Sequence, residues 1–375
     1  MAPDYNSLRR LALAATRDRV IPGLVMAVGQ AGQVHLLEAF GQRQLDPEPA
    51  PATVDTIYDL ASLTKAVVTS LLVMKGVEKG RLHLDRPLGD HLEMLKDRPE
   101  ITLRRVLAHA GGFPAHRKFY ESDLTKVEPS QASRAFVVEK AAAEPLAYEP
   151  GSRSIYSDLG FILLGALIEQ AMSARLDVLA ERLLFQPLGL SSLGFVDLLA
   201  GAGAARFRGH DVAPTERCPV RGRLVLGEVH DLNAFAMGGI AGHAGLFGGI
   251  QDLLQLAFAL GAAFHGRGVD GGAPLVRPEV LREFWQPAGI PDSTWRLGWD
   301  GPSAQGSLAG SLISRRAVGH LSFTGCSLWI DPEQETCVVV LSNRIHPEVR
   351  DDPRFRALRP ALHDAAFQAI GYQAG

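Results

Sequence analysis

Apolar and polar positions change rhythm several times along the chain. Residues 6–19 place leucines and alanines on one side of a helical repeat. Over 21–45, "IPGLVMAVGQAGQVHLLEAFGQRQL", the pattern becomes two strand-like runs around the turn residues Gly29 to Gly32. A proline-rich loop, "PEPAPATVDT", follows. Then "YDLASLTKAVVTSLLVM" (58–74) passes from a strand-like run to a helical one. There Leu63, Ala66, Val67, Leu71 and Met74 fall at helical spacing. Residues 76–235 alternate short helical stretches with Gly/Pro loops such as "HAGGFPAHR", "YEPGSRSIYSD" and "PLGLSSLGF". "GHAGLFGGIQDLLQLAFALGAAF" (242–264) is a glycine-rich entry into another helix. From 315 the rhythm returns to strands, "AVGHLSFTGCSLWIDP" and "TCVVVLSNRIHP", joined by a turn at 332–335. Residues 353–370 read as a closing helix.

Strands at both ends with helices between predict one sheet built from both termini and a helical insertion. The expected fold class is α/β (α+β), with 1–75 and 236–375 as the sandwich lobe and 76–235 as a mainly helical lobe. A cleft between the lobes is the expected place for a site.

Composition narrows the function classes. Hydrophobic residues make up 46% and charged residues 21% of the 375, ample for a packed core. Lys and Arg total 38 against 41 Asp and Glu, a net charge of −3, so no global basic field points to nucleic acid. Cys218, Cys326 and Cys337 lack metal or disulfide-framework spacing. No apolar stretch approaches the ~20 residues of a membrane span. "LALAA" near the N-terminus is shorter than an export-signal core and is flanked by arginines. The expectation is a cytoplasmic protein if Met1 is the native start, and a periplasmic or extracellular one if an export signal was trimmed.

Ser62 and Lys65 stand three apart where the helical run begins. Positions i and i+3 share a helix face, so the amine can reach the hydroxyl. A serine needs such a base to become a nucleophile, and the unpaired N–H groups of a helix start favour the negative charge that develops. The bland alternative is an N-cap serine followed by an ordinary helix-forming lysine. "AVVTSLLVM" after Lys65 carries no charge, so the lysine is expected to be partly desolvated and easier to deprotonate. Tyr156 and Asp158 precede a second apolar helix, and in an extended segment both face one space. Asp158 as an N-cap is the bland alternative there. "GHLSFTG" opens a strand that can offer a backbone oxyanion donor and, from His320, a cation for a substrate carboxylate.

Ser62-Leu63-Thr64-Lys65, Tyr156-Ser157-Asp158 and His320-Leu321-Ser322 stand in the order of the serine β-lactamase and penicillin-binding protein superfamily, which the chain resembles over roughly 20–345. "LDRPLGDHL", "ITLRRVLAHAGGFP", "GHAGLFGG" and "FTGCSLWIDP" read like segments of its branch of class C β-lactamases, D-alanyl-D-alanine carboxypeptidases and related esterases. The resemblance implies a single catalytic domain over 1–375, with an antiparallel β-lactamase/transpeptidase-like sheet. It implies an acyl-enzyme serine hydrolase acting on an ester, β-lactam or peptide substrate, with no cofactor and no metal. Ser62 would be the nucleophile, Lys65 its activating amine and Tyr156 the proton shuttle. Asp158, His320, Ser322 and Phe323 would contact substrate, with the amides of Ser62 and Phe323 forming the oxyanion hole.

Three positions depart from that pattern. Asp158 replaces the usual Asn, and its charge favours protonated Lys65, so Tyr156 is expected to carry more of the base role. Leu321 and Ser322 replace Thr and Gly, which weakens a carboxylate site and keeps open a catalytically inactive ligand-binding protein. His230, Asp231, His243 and the pair His210 and Asp211 offer a rival metallohydrolase reading without HExxH-type spacing, or else brace the cleft loops. Neither GxSxG nor a P-loop occurs.

Overall fold

The computed structural model describes residues 3–124, 128–201, 207 and 211–372. Its strands in chain order are β1 (Gly23–Gln30), β2 (Gln33–Gln44), β3 (Ala50–Pro51), β4 (Tyr58–Asp59), β5 (Gly194–Phe195), β6 (Arg217–Cys218), β7 (Arg223–Leu224), β8 (Leu246–Gly248), β9 (Val318–Leu321), β10 (Ser327–Asp331) and β11 (Thr336–Ser342). Six of them form an antiparallel sheet in the order β3-β2-β1-β11-β10-β9, so both termini contribute, as the sequence predicts. The β1–β2 hairpin turns at Ala31 and Gly32, both at positive φ, which matches the twist of the flanking strands.

The period-two alternation of β1 sorts its side chains between two cores. Leu24, Met26 and Val28 pack with Leu8, Ala12, Leu362 and Ala366 of the helices Asn6–Arg17 and Pro353–Ala369. Val25 and Ala27 face the helix Ile250–Phe264 and the larger core. Each buried aliphatic side chain contributes roughly 1.5–3 kcal/mol. The approach of that helix needs Gly29, whose added Cβ would lie 2.4 Å from the Phe258 ring. Gly29→Ala is therefore expected to destabilise the protein by about 1–3 kcal/mol. Urea unfolding checks this, and an unchanged midpoint would contradict it.

The middle of the chain is mostly helix and loop, with helices at Gln131–Ala143, Asp158–Met172 and Leu176–Ala180. It also holds the short strands β5, β6 and β7, too brief to leave a sequence period. Among the described residues no single helix is long and apolar enough to cross a membrane.

The segment after β4 positions the site. β4 pairs with β8, and Leu60 N–H donates to the Leu246 carbonyl at 2.9 Å. The chain then turns sharply at Ala61 (φ 45°) and enters a helix whose first full turn, Lys65–Ser70, is a wide π turn. Thr64 and Thr69 pin this turn: Thr64 Oγ1 accepts from Leu246 N–H at 3.1 Å, and Thr69 Oγ1 donates to the Gly242 carbonyl at 2.6 Å. Every residue from Lys65 to Met74 is buried, which is why the run carries no charge after Lys65.

Candidate active site

Ser62 sits immediately before the first helical residue, with its side chain turned to a cleft. The left-handed backbone of Ala61 costs energy in a non-glycine residue. Asp59 supports it: its Oδ1 accepts from Ala61 N–H at 2.8 Å, and its Oδ2 accepts from His230 N–H at 2.7 Å. Burial raises the Asp59 carboxyl above its ordinary range. Lys65 Nζ donates to Ser62 Oγ at 3.1 Å and to the His243 carbonyl at 2.9 Å, and lies 2.8 Å from Asp158 Oδ1. The structure thus brings Ser62, Lys65 and Asp158 together.

Burial alone would push the Lys65 amine down, as the sequence suggests. Asp158 and Tyr156 reverse that, and the net shift is upward. Asp158 feels the same pairing: burial would raise it, but Lys65 and His116 hold it well below the usual carboxylate range. The resting pair is an ammonium and a carboxylate. The Tyr156 phenol stands beside Lys65 and Ser62, both of which favour its ionised form, and Lys65 Nζ lies 4.9 Å from its ring centroid. Its ring is held by His109 (centroids 4.7 Å), Trp295 (5.5 Å) and His320 (6.0 Å). Burial raises its phenol more than Lys65 lowers it, so Tyr156 is a neutral hydroxyl and not the phenolate that a stronger base role requires. Asp158 is the first helical residue; the cap is Ser157, whose Oγ accepts from Gly160 N–H at 3.3 Å. Both Asp158 oxygens are committed, Oδ1 to Lys65 and Oδ2 to His116 Nδ1 at 3.2 Å, so its contact with substrate is limited to lining the cleft.

The strand at 318–321 corrects two expectations. His320 is not a cation: burial, then the nearby Lys65 charge, pulls its pKa down to about 3. Its Nδ1 faces the Leu321 carbonyl at 2.7 Å, and its ring packs among Tyr156 and Trp295. Ser322 does not reach the cleft either. Its hydroxyl is spent inside the β9–β10 turn, 2.9 Å from Thr324 Oγ1 and accepting from Cys326 N–H at 3.0 Å. Phe323, by contrast, is 48% exposed and lines the cleft, its ring stacked on His230 at 5.5 Å. Thr324 Oγ1 donates to the Asp59 carbonyl at 2.8 Å, tying this turn to the Ser62 turn.

The cleft encloses about 410 Å³, and its polar wall is a row of histidine–carboxylate pairs. These are His116 with Asp158, His230 Nε2 with Glu216 Oε1 at 3.0 Å, and His243 Nε2 with Asp231 Oδ1 at 2.9 Å. Burial would raise Asp231, but His243 brings it down to about 2. Among the described residues no three His, Cys, Asp or Glu converge as metal ligands, and His210 lies outside those residues. Asp231 also caps the helix Leu232–Ala236. His116, Tyr120, Glu216 and Trp295 left no motif in the sequence; only the quoted loop "HAGGFPAHR" marked His116 as loop-borne.

The β-lactamase family model matches residues 8–363. A relative from Escherichia coli O157:H7, named "Putative D-alanyl-D-alanine carboxypeptidase", is 32% identical over 362 residues, covering 89% of this chain and 81% of the relative. Its namesake from Escherichia coli strain K12 is 33% identical over 326 residues, covering 81% and 73%. Among solved structures, EstCE1, a hydrolase with promiscuous acyltransferase activity, superposes with a TM-score of 0.73 at 20% identity over 96% of this chain and 97% of that one. The octameric penicillin-binding protein homologue from Pyrococcus abyssi gives 0.72 at 22% identity, covering 99% and 78%. At those identities the structural likeness carries the fold alone. With the family model spanning most of the chain and relatives above 30% identity, the chain belongs to the β-lactamase family and is a serine hydrolase of the β-lactamase and penicillin-binding-protein fold.

Proposed function

We propose that Ser62 is the nucleophile of an acyl-enzyme cycle acting on esters, or amides, that carry no carboxylate beside the scissile bond. The observation that supports this most is Ser62 Oγ held 3.1 Å from the buried Lys65 amine at the floor of the cleft. Ser62 Oγ bonds to the acyl carbon and its proton passes to Lys65 in the neutral form. The bond to the leaving group breaks, and that group takes a proton delivered through Tyr156, which touches both partners. Water then repeats the sequence on the acyl ester and frees Ser62. The amides of Ser62 and Phe323 have no acceptor among the described residues, which suits them to the oxyanion.

The leaving-group preference rests on charge. None of the residues lining the cleft is Lys or Arg, and His320 is neutral, while Glu216 and Asp231 add negative charge. A peptide ending in a carboxylate, as the relatives' name would suggest, finds no lysine or arginine side chain among the residues that line the cleft. We expect p-nitrophenyl esters to be turned over with kcat/KM about 10- to 150-fold above that for a D-Ala-D-Ala peptide, since a missing charged partner costs roughly 1.5–3 kcal/mol. Because His320 is neutral, KM for an uncharged ester is expected to stay flat between pH 5.5 and 8, with no rise at the ordinary histidine value of about 6.5. Efficient release of D-alanine would overturn the preference.

A further inference from the structure

Lys65 presents a difficulty for the reading just given. A base must be neutral, yet Asp158 holds this amine as an ammonium. The family pattern avoids the problem with an amide at this position. Here the carboxylate has a second partner. Asp158 Oδ1 lies 2.8 Å from Lys65 Nζ, and its Oδ2 lies 3.2 Å from His116 Nδ1. His116 lines the cleft, and its side chain is 41% exposed, so it exchanges protons with solvent while Lys65, at 0%, does not. One carboxylate therefore joins the buried amine beside Ser62 to an imidazole at the cleft wall.

We infer that His116 is a positioning residue that lets Lys65 act as a base: Asp158 couples the two, and in the reactive state the single proton they share rests on His116 while Lys65 is neutral. The inference depends on Ser62 and Lys65 having the roles proposed above. Two cations on one carboxylate compete, so a charged His116 weakens the hold of Asp158 on the lysine proton. The forms with the proton on Lys65 or on His116 hold the same number of protons, so their ratio does not change with pH. Below the titration of His116 both groups are charged and Lys65 is locked as an ammonium. Reactivity therefore rises with pH as the pair loses its first proton, then levels off. During acylation Lys65 takes the Ser62 proton and returns one to the leaving group, while His116 keeps its own, so the cycle balances.

The groups facing His116 agree with this assignment. Asp158 at the start of the helix Asp158–Met172 and Asp231 at the cap of Leu232–Ala236 favour its charged form, and Lys65 opposes it. On its own loop, Arg117 is paired with Glu144 and Lys118 with Glu121.

The test is the rate at which a fluorophosphonate labels Ser62 between pH 5 and 10, in the parent, His116→Gln, Asp158→Asn and the double variant. His116 is half-exposed, so glutamine is compatible with folding. In His116→Gln the rising limb is expected to move at least ~1 pH unit to the alkaline side. Labelling at pH 7 would then fall about tenfold and recover above pH 9. In the Asp158→Asn background the same substitution is expected to change nothing, because the coupling is gone. A His116→Gln profile that superimposes on the parent would overturn the inference, and so would a shift that persists without Asp158. Absence of label on Ser62 in the parent would instead remove the reading on which it rests.

Discussion

Lys65→Met is expected to lower kcat/KM by on the order of 10²–10⁴-fold, the usual contribution of a positioned acid–base group. Methionine keeps the length of the stem and removes only the amine. Three contacts vanish together: those to Ser62 Oγ, the His243 carbonyl and Asp158. The same substitution is expected to cost stability, because Asp158 loses the cation that its burial requires. Breaking a buried pair from one side costs roughly 3–5 kcal/mol, and His116 offsets part of this by keeping its bond to Oδ2. The two effects separate in a double variant. Lys65→Met with Asp158→Asn should recover most of the stability, since no charge is left unpaired, and none of the activity. Turnover and urea unfolding measured on both variants check this. A Lys65→Met enzyme within tenfold of the parent would exclude the amine as the base.

A second large effect is expected from acid. His109, His320 and His363 are buried and neutral, each pulled down chiefly by desolvation; His320 and His363 fall to about 3. Unfolded, each titrates near its ordinary value of about 6.5. Below that pH the unfolded chain binds protons that the folded one refuses, so stability falls as pH drops from about 6.5 towards the folded values. Each group contributes about 1.4 kcal/mol per pH unit, and together they give a slope of roughly 4 kcal/mol per unit below pH 6. Asp59 and Asp300 work the other way, because burial raises them and protonation then favours the fold, but they act nearer their own range. The urea midpoint is expected to fall steeply between pH 6.5 and 5. His363→Gln is expected to remove about a third of that slope without touching the cleft, since His363 bonds Ser327 and the Leu308 carbonyl instead. A midpoint constant over that range would contradict the neutral assignment of these histidines.

Periodicity made the outer frame legible. The two strands of 21–45, the return to strands after 315 and the helices at either end all follow from local patterns that burial on one face imposes. The meeting of Ser62 and Lys65 was legible for a different reason: three positions apart at a helix start, they share a face. Charge states were not. His320 reads as a cation until its neighbours are known, and Tyr156, Trp295 and Lys65, which keep it neutral, come from three distant parts of the chain. His116 escaped because nothing local marks a loop histidine that meets Asp158 across 42 positions. His230, Asp231 and His243 were visible as a cluster and read as ligands or braces. Each histidine instead faces a carboxylate, and Glu216, the partner of His230, lies just before β6, a strand of two residues that leaves no pattern.

The measurement that bears most directly on the central claim is intact-mass analysis with peptide mapping after exposure to a fluorophosphonate. One adduct is expected, on the peptide carrying Ser62, absent in Ser62→Ala and slowed in Lys65→Met. A folded parent that takes no adduct, or takes it on another residue, would contradict Ser62 as the nucleophile.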